Sequence, residues 1–234
     1  MPVPPLSQLD ERFQHLSCTI DVNFRMRLRR ALSWMHAAQI YRQDVDIAFI
    51  TLWIAFNACY AAGGADKHTK TRNVYEHFFR KLAQYDKDKY LWRSVCCAQR
   101  ESVLVLIKSK YTFSPYWNAK KDNSIEWAPR LKKTQEFVIQ SLQKEDLEAM
   151  LSVVFDRLYV IRNQIMHGGA AHGVDYNRKM LTAGHRVLEV MMPIIIAIMM
   201  TRPDVDWGEV YFPIDKQCDY GRLLGSLHKN TNLK

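Results

Sequence analysis

Apolar residues recur along most of this chain at helical spacing, and the repeats mark out a series of helices. Phe24, Leu28, Ala31, Met35 and Ala38 share one face of a segment from about 21 to 41, with arginines on the other side. The stretch from about 44 to 62 is apolar on nearly all sides and stops at Gly63-Gly64, which predicts a helix lying centrally in a bundle. Two further helical stretches follow, at about 72–85 and 88–108. Leu147, Leu151, Val154, Phe155, Leu158, Ile161 and Ile165 then form the stripe of a long helix over about 144–167, ended by Gly168-Gly169. The last long helix spans about 176–200 and is kinked or shifted at Pro193. The economical architecture is all-α, an antiparallel helical bundle.

The bundle is expected over residues 21–202, with residues 1–20 as an N-terminal extension and 203–234 as a C-terminal tail. That tail carries Trp207-Gly208 and Tyr211-Phe212-Pro213 before turning polar after Asp219. Residues 110–130 break the helical period. They hold Tyr111, Phe113, Tyr116, Trp117 and Trp127 among prolines and lysines, and are expected to form an irregular insertion. Such rings either stack on bases of single-stranded RNA or pin the insertion onto the core.

Composition narrows the compartment and the partners. The 234 residues suit one large domain. Five cysteines with no C-x-x-C pair argue for reduced thiols in a cytoplasm, against a disulfide framework or a zinc cluster. The first residues lack a signal-peptide pattern. The longest apolar run, Val190 to Met200, is too short for a bilayer span of about 20 residues, so no membrane partner is expected. The net charge of +9 is concentrated: residues 65–133 hold 16 Lys/Arg against 7 Asp/Glu. A local surplus suits RNA, DNA or an acidic protein, or is a solvated basic face.

Arg162, Asn163 and His167 close the long 144–167 helix. Asn163 and His167 are separated by about 40° around an ideal helix, but Arg162 and His167 by about 140°. The arginine therefore reaches the same cleft only by its length or through a distorted last turn. These residue types suit metal-free cleavage of RNA. The 2′-hydroxyl must lose a proton, the 5′-oxygen must gain one, and the phosphorane's charge must be offset. Histidine titrates near neutrality and suits proton transfer, while arginine's planar fork holds two phosphate oxygens. The asparagine is suited to orient the arginine, the histidine or the ribose. One chain carries one such set, so two copies across a two-fold axis would supply separate acid and base. Similar spacings occur at Arg30/His36, Arg72/His77 and Arg178/His185, and Asn73 completes the second. The bland role for 162–167 is a capped helix end with a hydrogen-bonded histidine.

The stretch Arg157-Leu158-Tyr159-Val160-Ile161-Arg162-Asn163-Gln164-Ile165-Met166-His167-Gly168-Gly169-Ala170 resembles the signature helix of the HEPN superfamily, and more particularly the Apea-like group of bacterial HEPN-domain proteins. Trp53-Ile54-Ala55-Phe56-Asn57-Ala58, Asn177-Arg178 and Trp207-Gly208-Glu209-Val210-Tyr211-Phe212-Pro213 resemble that group in the same order. The likeness spans roughly residues 24–213. It implies a HEPN-like bundle that pairs into homodimers, with the Arg-Asn-x-x-x-His motifs meeting at a shared cleft. It also implies a metal-independent endoribonuclease, often a toxin or phage-defence effector, with an antitoxin or other protein partner. Carried over, Arg162 and His167 are catalytic and Asn163 supports them. Other superfamily members are non-catalytic modules that bind RNA or a protein partner, which is the competing reading.

Arg178, Lys120, Lys121, Lys132 and Lys133 are candidate RNA contacts, and Asn57 and Tyr159 candidate supports behind the motif. Asn57 lies on a helix where an amide needs partners and is expected to face the motif helix. Trp53, Phe56, Tyr60, Cys96 and Cys97 read as core. His68, His77, His172 and His185 lack H-E-x-x-H or similar ligand spacing, so no metal site is expected. The glycine pairs lack a nucleotide-binding layout, so no cofactor is expected.

Overall fold

Aspartates start three of the helices by accepting amide hydrogens that have no partner within the helix. Asp21 takes the N–H groups of Asn23 and Phe24, Asp44 those of Asp46 and Ile47, and Asp146 that of Ala149. The computed structural model describes residues 3–61, 71–175 and 177–212. Among them the fold is all-α and contains no strand. Its helices are α1 (Leu6–Leu16), α2 (Val22–Ile40), α3 (Val45–Tyr60), α4 (Thr71–Tyr85), α5 (Tyr90–Trp92), α6 (Arg100–Lys108), α7 (Ser114–Ala119), α8 (Trp127–Gln143), α9 (Leu147–Met166) and α10 (Arg178–Thr201). A π-helical turn, Arg93–Ala98, joins α5 to α6. Gly63-Gly64, His68, Cys218 and the chain from Pro213 onward lie outside the described residues, as do the side chains of Arg72 and Asn73.

α2 and α3 form a helical hairpin, α10 packs between α3 and α6, and α4 and α8 lie against α9. Phe56 and Phe155 meet with ring centroids 4.1 Å apart, and Phe79 stands 4.8 Å from Phe155, so aromatic packing joins α3, α4 and α9. α10 approaches α9 and α3 closely at Gly184. A Cβ there would come within 2.9 Å of Leu158 and 3.1 Å of Phe49. By length and composition α10 is apolar enough to cross a bilayer, yet 78% of its apolar window is buried inside the bundle. Pro193 lies within α10, which continues through it to Thr201.

The structure adds to the sequence expectations in three places. Residues 6–16, within the expected N-terminal extension, are a helix whose Leu9 is buried against α10 and α2. The 110–130 segment is ordered as a 3₁₀ turn (Lys110–Thr112), α7 and the start of α8 rather than irregular chain. Cys97 is exposed, whereas Cys96 is buried as expected.

The segment after α10 is also held firmly. Trp207 is buried against Phe78 and Tyr85, and its indole donates to the Arg202 carbonyl at 3.0 Å. Arg27, fully buried, donates to the carbonyls of Ala58, Cys59, Gly208 and Glu209 at 2.7–3.0 Å. A single guanidinium thus satisfies the free carbonyls at the end of α3 and fixes the 207–210 turn to them.

Candidate functional site

α9 ends in a glycine cap. The N–H of Gly168 bonds back to Ile165 and that of Ala170 to Gln164, both at 3.1 Å. Gly168 takes φ = 68°, a left-handed conformation that only glycine adopts without strain. His167 sits at the cap position, exposed, with its backbone N–H bonded to the Asn163 carbonyl. Among the described residues its imidazole has no hydrogen-bond partner.

Arg162 donates from Nη1 to Oδ1 of Asn163 at 3.0 Å, and both side chains are half-buried. Tyr159, Arg162, Asn163, Met166 and His167 fall at helical spacing on one stripe of α9 that the bundle leaves partly open. Tyr159 is 38% and Met166 52% exposed. Behind the stripe, Tyr159 packs on Trp53, 6.2 Å between ring centroids. Tyr60 on α3 is a further member that sequence reasoning assigned to the core. Burial pushes its phenol up to about 12, the nearby Tyr159 adds to the rise, and the Arg162 guanidinium opposes it. It therefore stays a neutral hydrogen-bond donor beside the arginine. Asn57, half-buried, lies four residues after Trp53 and three before Tyr60, on the side of α3 that carries both rings.

The first x residue of the motif, Gln164, is a tie rather than a spacer. Gln164 donates to the Tyr111 carbonyl and accepts from the Asn177 side chain, each at 3.0 Å. The same Tyr111 carbonyl accepts the Trp117 indole N–H at 2.8 Å. The rings of the 110–130 segment are largely committed to packing. Phe113 is buried under Arg157, and Tyr116 stands edge-on to Trp127, 5.1 Å between centroids.

The candidate RNA contacts fall into two groups. Lys120, Lys121, Lys132 and Lys133 are all exposed, on and near α7 and α8. Arg178 is instead paired with Asp46 at 2.7 Å and also donates to the Val174 carbonyl, so it holds the loop before α10 in place. His172 in that loop bonds to Asp44 at 2.7 Å. Possible ligand atoms of Asp44, Asp46 and His172 lie within 4.8 Å of one another, which the sequence spacing did not suggest. Arg178 already supplies a positive charge there, and the Asp44 carboxylate also caps α3. Of the competing Arg/His pairs, His36 bonds to Asp10, while His185 is buried and its imidazole is shifted down by that burial. No family model matches the chain, and neither a curated protein nor a solved structure matches it.

Proposed function

We propose that this chain is a metal-independent endoribonuclease of HEPN type that works as a homodimer in the cytoplasm. The observation that carries the reading is the Arg162–Asn163 hydrogen bond beside an exposed, unpartnered His167 at one helix end. The bond turns the arginine toward the side of α9 that the other two residues share. Two copies meeting along the Arg162–His167 end of the stripe bring two such sets together and cover the exposed Met166.

His167 of one copy takes the 2′-hydroxyl proton as that oxygen attacks the adjacent phosphorus. Arg162 neutralises the phosphorane through charge-assisted hydrogen bonds. His167 of the second copy protonates the departing 5′-oxygen. The products are a 2′,3′-cyclic phosphate and a 5′-hydroxyl end. No cofactor takes part, and exposed Lys120, Lys121, Lys132 and Lys133 attract the RNA. A toxin or phage-defence role, with an antitoxin as partner, fits such an activity. The test is the chemistry of the ends: cleavage in EDTA must leave cyclic phosphates, whereas 3′-hydroxyl and 5′-phosphate ends would point to metal-dependent hydrolysis.

The second reading is a non-catalytic HEPN dimerisation module that binds RNA or a protein partner. It is favoured by the exposed Lys132 and Lys133 on α8, a helix other than the one that carries the motif. Charge reversal at Lys132 and Lys133 then abolishes partner binding, while Arg162→Ala leaves it intact.

A further inference from the structure

Adjoining the motif stripe at Tyr159, a cleft of about 660 Å³ opens between α4, α7, α8 and α9. Its floor contains Arg157, only 2% exposed, whose Nε and Nη2 have no hydrogen-bond partner among the described residues. The guanidinium lies 4.3 Å from the centroid of the Phe113 ring. The adjacent carboxylate does not relieve it, because Asp156 accepts from the Tyr75 hydroxyl at 2.6 Å and leaves those two nitrogens unbonded. Burial lowers the Arg157 guanidinium to about 10, so it remains a cation at neutral pH. A buried cation with open donors is costly for a folded chain unless something pairs with it.

The mouth of the cleft adds more of the same charge. Arg130 and Lys133, three residues apart on α8, are exposed and line it. Its remaining walls mix apolar and aromatic side chains, Phe137 47% and Tyr159 38% exposed at the opening, with Ser114, Thr134 and the single carboxylate of Asp156, so cations outnumber acids three to one. Three cations beside open aromatic faces suit a ligand with an anionic group on a planar, weakly polar body. The volume falls in the range of small-molecule sites, roughly 300–1,000 Å³.

We propose that this cleft binds a nucleotide, its phosphate among Arg130, Lys133 and Arg157 and its base against Phe137 and Tyr159. Stacking on aromatic rings accepts any base, and an arginine fork matches a phosphate. The nucleotide is either free or one unit of a single-stranded RNA. The site stands whether or not His167 cleaves anything. Where it does, Tyr159 lies three residues before Arg162 on the same helix, so a nucleotide seated here occupies the approach to the motif.

The test is calorimetric titration of the full chain in EDTA with adenosine 5′-monophosphate, adenosine and a short oligouridylate. The expected result is binding of the monophosphate with a Kd of about 1 mM or tighter, and of adenosine at least about tenfold more weakly. The double variant Arg130→Glu/Lys133→Glu, altered only at exposed positions, should weaken the monophosphate by about tenfold or more. Arg157→Met should do the same while melting at the wild-type temperature or above, because it removes an unpaired buried charge. Displacement of the oligonucleotide by the monophosphate identifies an RNA strand as the source. Monophosphate binding that the oligonucleotide does not compete for identifies a free nucleotide. Equal binding of adenosine and its monophosphate, an undiminished affinity in the double variant, or no binding at all overturns the site. His167→Ala must bind the monophosphate like wild type, so a failure of this cleft and a failure of the ribonuclease reading are told apart.

Discussion

Arg162 hydrogen-bonds to the side chain of its sequence neighbour, Asn163, with Nη1 3.0 Å from Oδ1. Adjacent residues point about 100° apart on an ideal helix, so this bond draws the long arginine chain round toward the stripe that Asn163 shares with His167. α9 stays helical through Met166, so any reach of Arg162 across the about 140° to the side of His167 belongs to its side chain rather than to a distorted backbone.

Asn163→Ala therefore releases Arg162 without disturbing the bundle. RNA cleavage should fall by about 10- to 100-fold, because a catalytic group misplaced by even an ångström loses that much. The melting temperature should be unchanged. Single-turnover kinetics check it, and an unaltered rate would show that the asparagine does not position the arginine.

Gln164 joins the 3₁₀ turn at Tyr111 to Asn177 ahead of α10. Replacing it with Met keeps the bulk and removes both bonds, leaving the half-buried Asn177 amide without this acceptor. Urea unfolding should show a loss of about 1–3 kcal/mol. A loss below about 0.5 kcal/mol, the level of an ordinary surface change, would mean the tie is dispensable.

The His172–Asp44 pair gives the loop after the motif a pH dependence. The hydrogen bond to Asp44 raises His172 above its ordinary 6.5, and the same bond lowers Asp44 below its ordinary 3.8. The histidine's contribution is complete below about pH 6.5 and is lost as pH rises through its raised value; the aspartate's is complete above about pH 3.8 and is lost as pH falls through its lowered value. The tie is thus fully made between those limits. Amide exchange across 168–174, corrected for intrinsic rates, should be slower at pH 5.5 than at pH 8. His172→Gln should remove the difference, and a difference that persists in the variant assigns it to another group.

Gly184 is required by close packing rather than by backbone conformation. A Cβ there would overlap Leu158 and press on Phe49. Gly184→Ala should cost about 1–3 kcal/mol despite alanine's better helix propensity. A stabilised variant would mean α9 and α10 can part to admit the methyl.

The long helices were legible because their start signals are local. Asp21 and Asp44 sit where the apolar repeats begin, and Gly168 where one ends. α1 and α8 were missed for different reasons. Leu6, Leu9, Phe13 and Leu16 keep a helical spacing but follow a proline-rich start, while α8 buries little beyond Val138 and Ser141 and so carries a faint repeat. Arg27 and Arg157 could not be read from the sequence, since buried arginines are rare and their partners or orphaned nitrogens depend on distant segments. The sequence singled out Arg162, Asn163 and His167 as candidates and placed Tyr60 in the core; that Tyr60 lies near Arg162 depends on how α3 packs against α9.

The most direct measurement is cleavage of total RNA in EDTA by the wild-type chain and by His167→Ala at equal concentration. Fragments ending in 2′,3′-cyclic phosphate from the wild type alone are the expected result. Equal cleavage by both proteins would place the activity elsewhere, with Arg72/His77 the next site to test. No cleavage by a folded, dimeric wild type would leave the non-catalytic binding module as the better description.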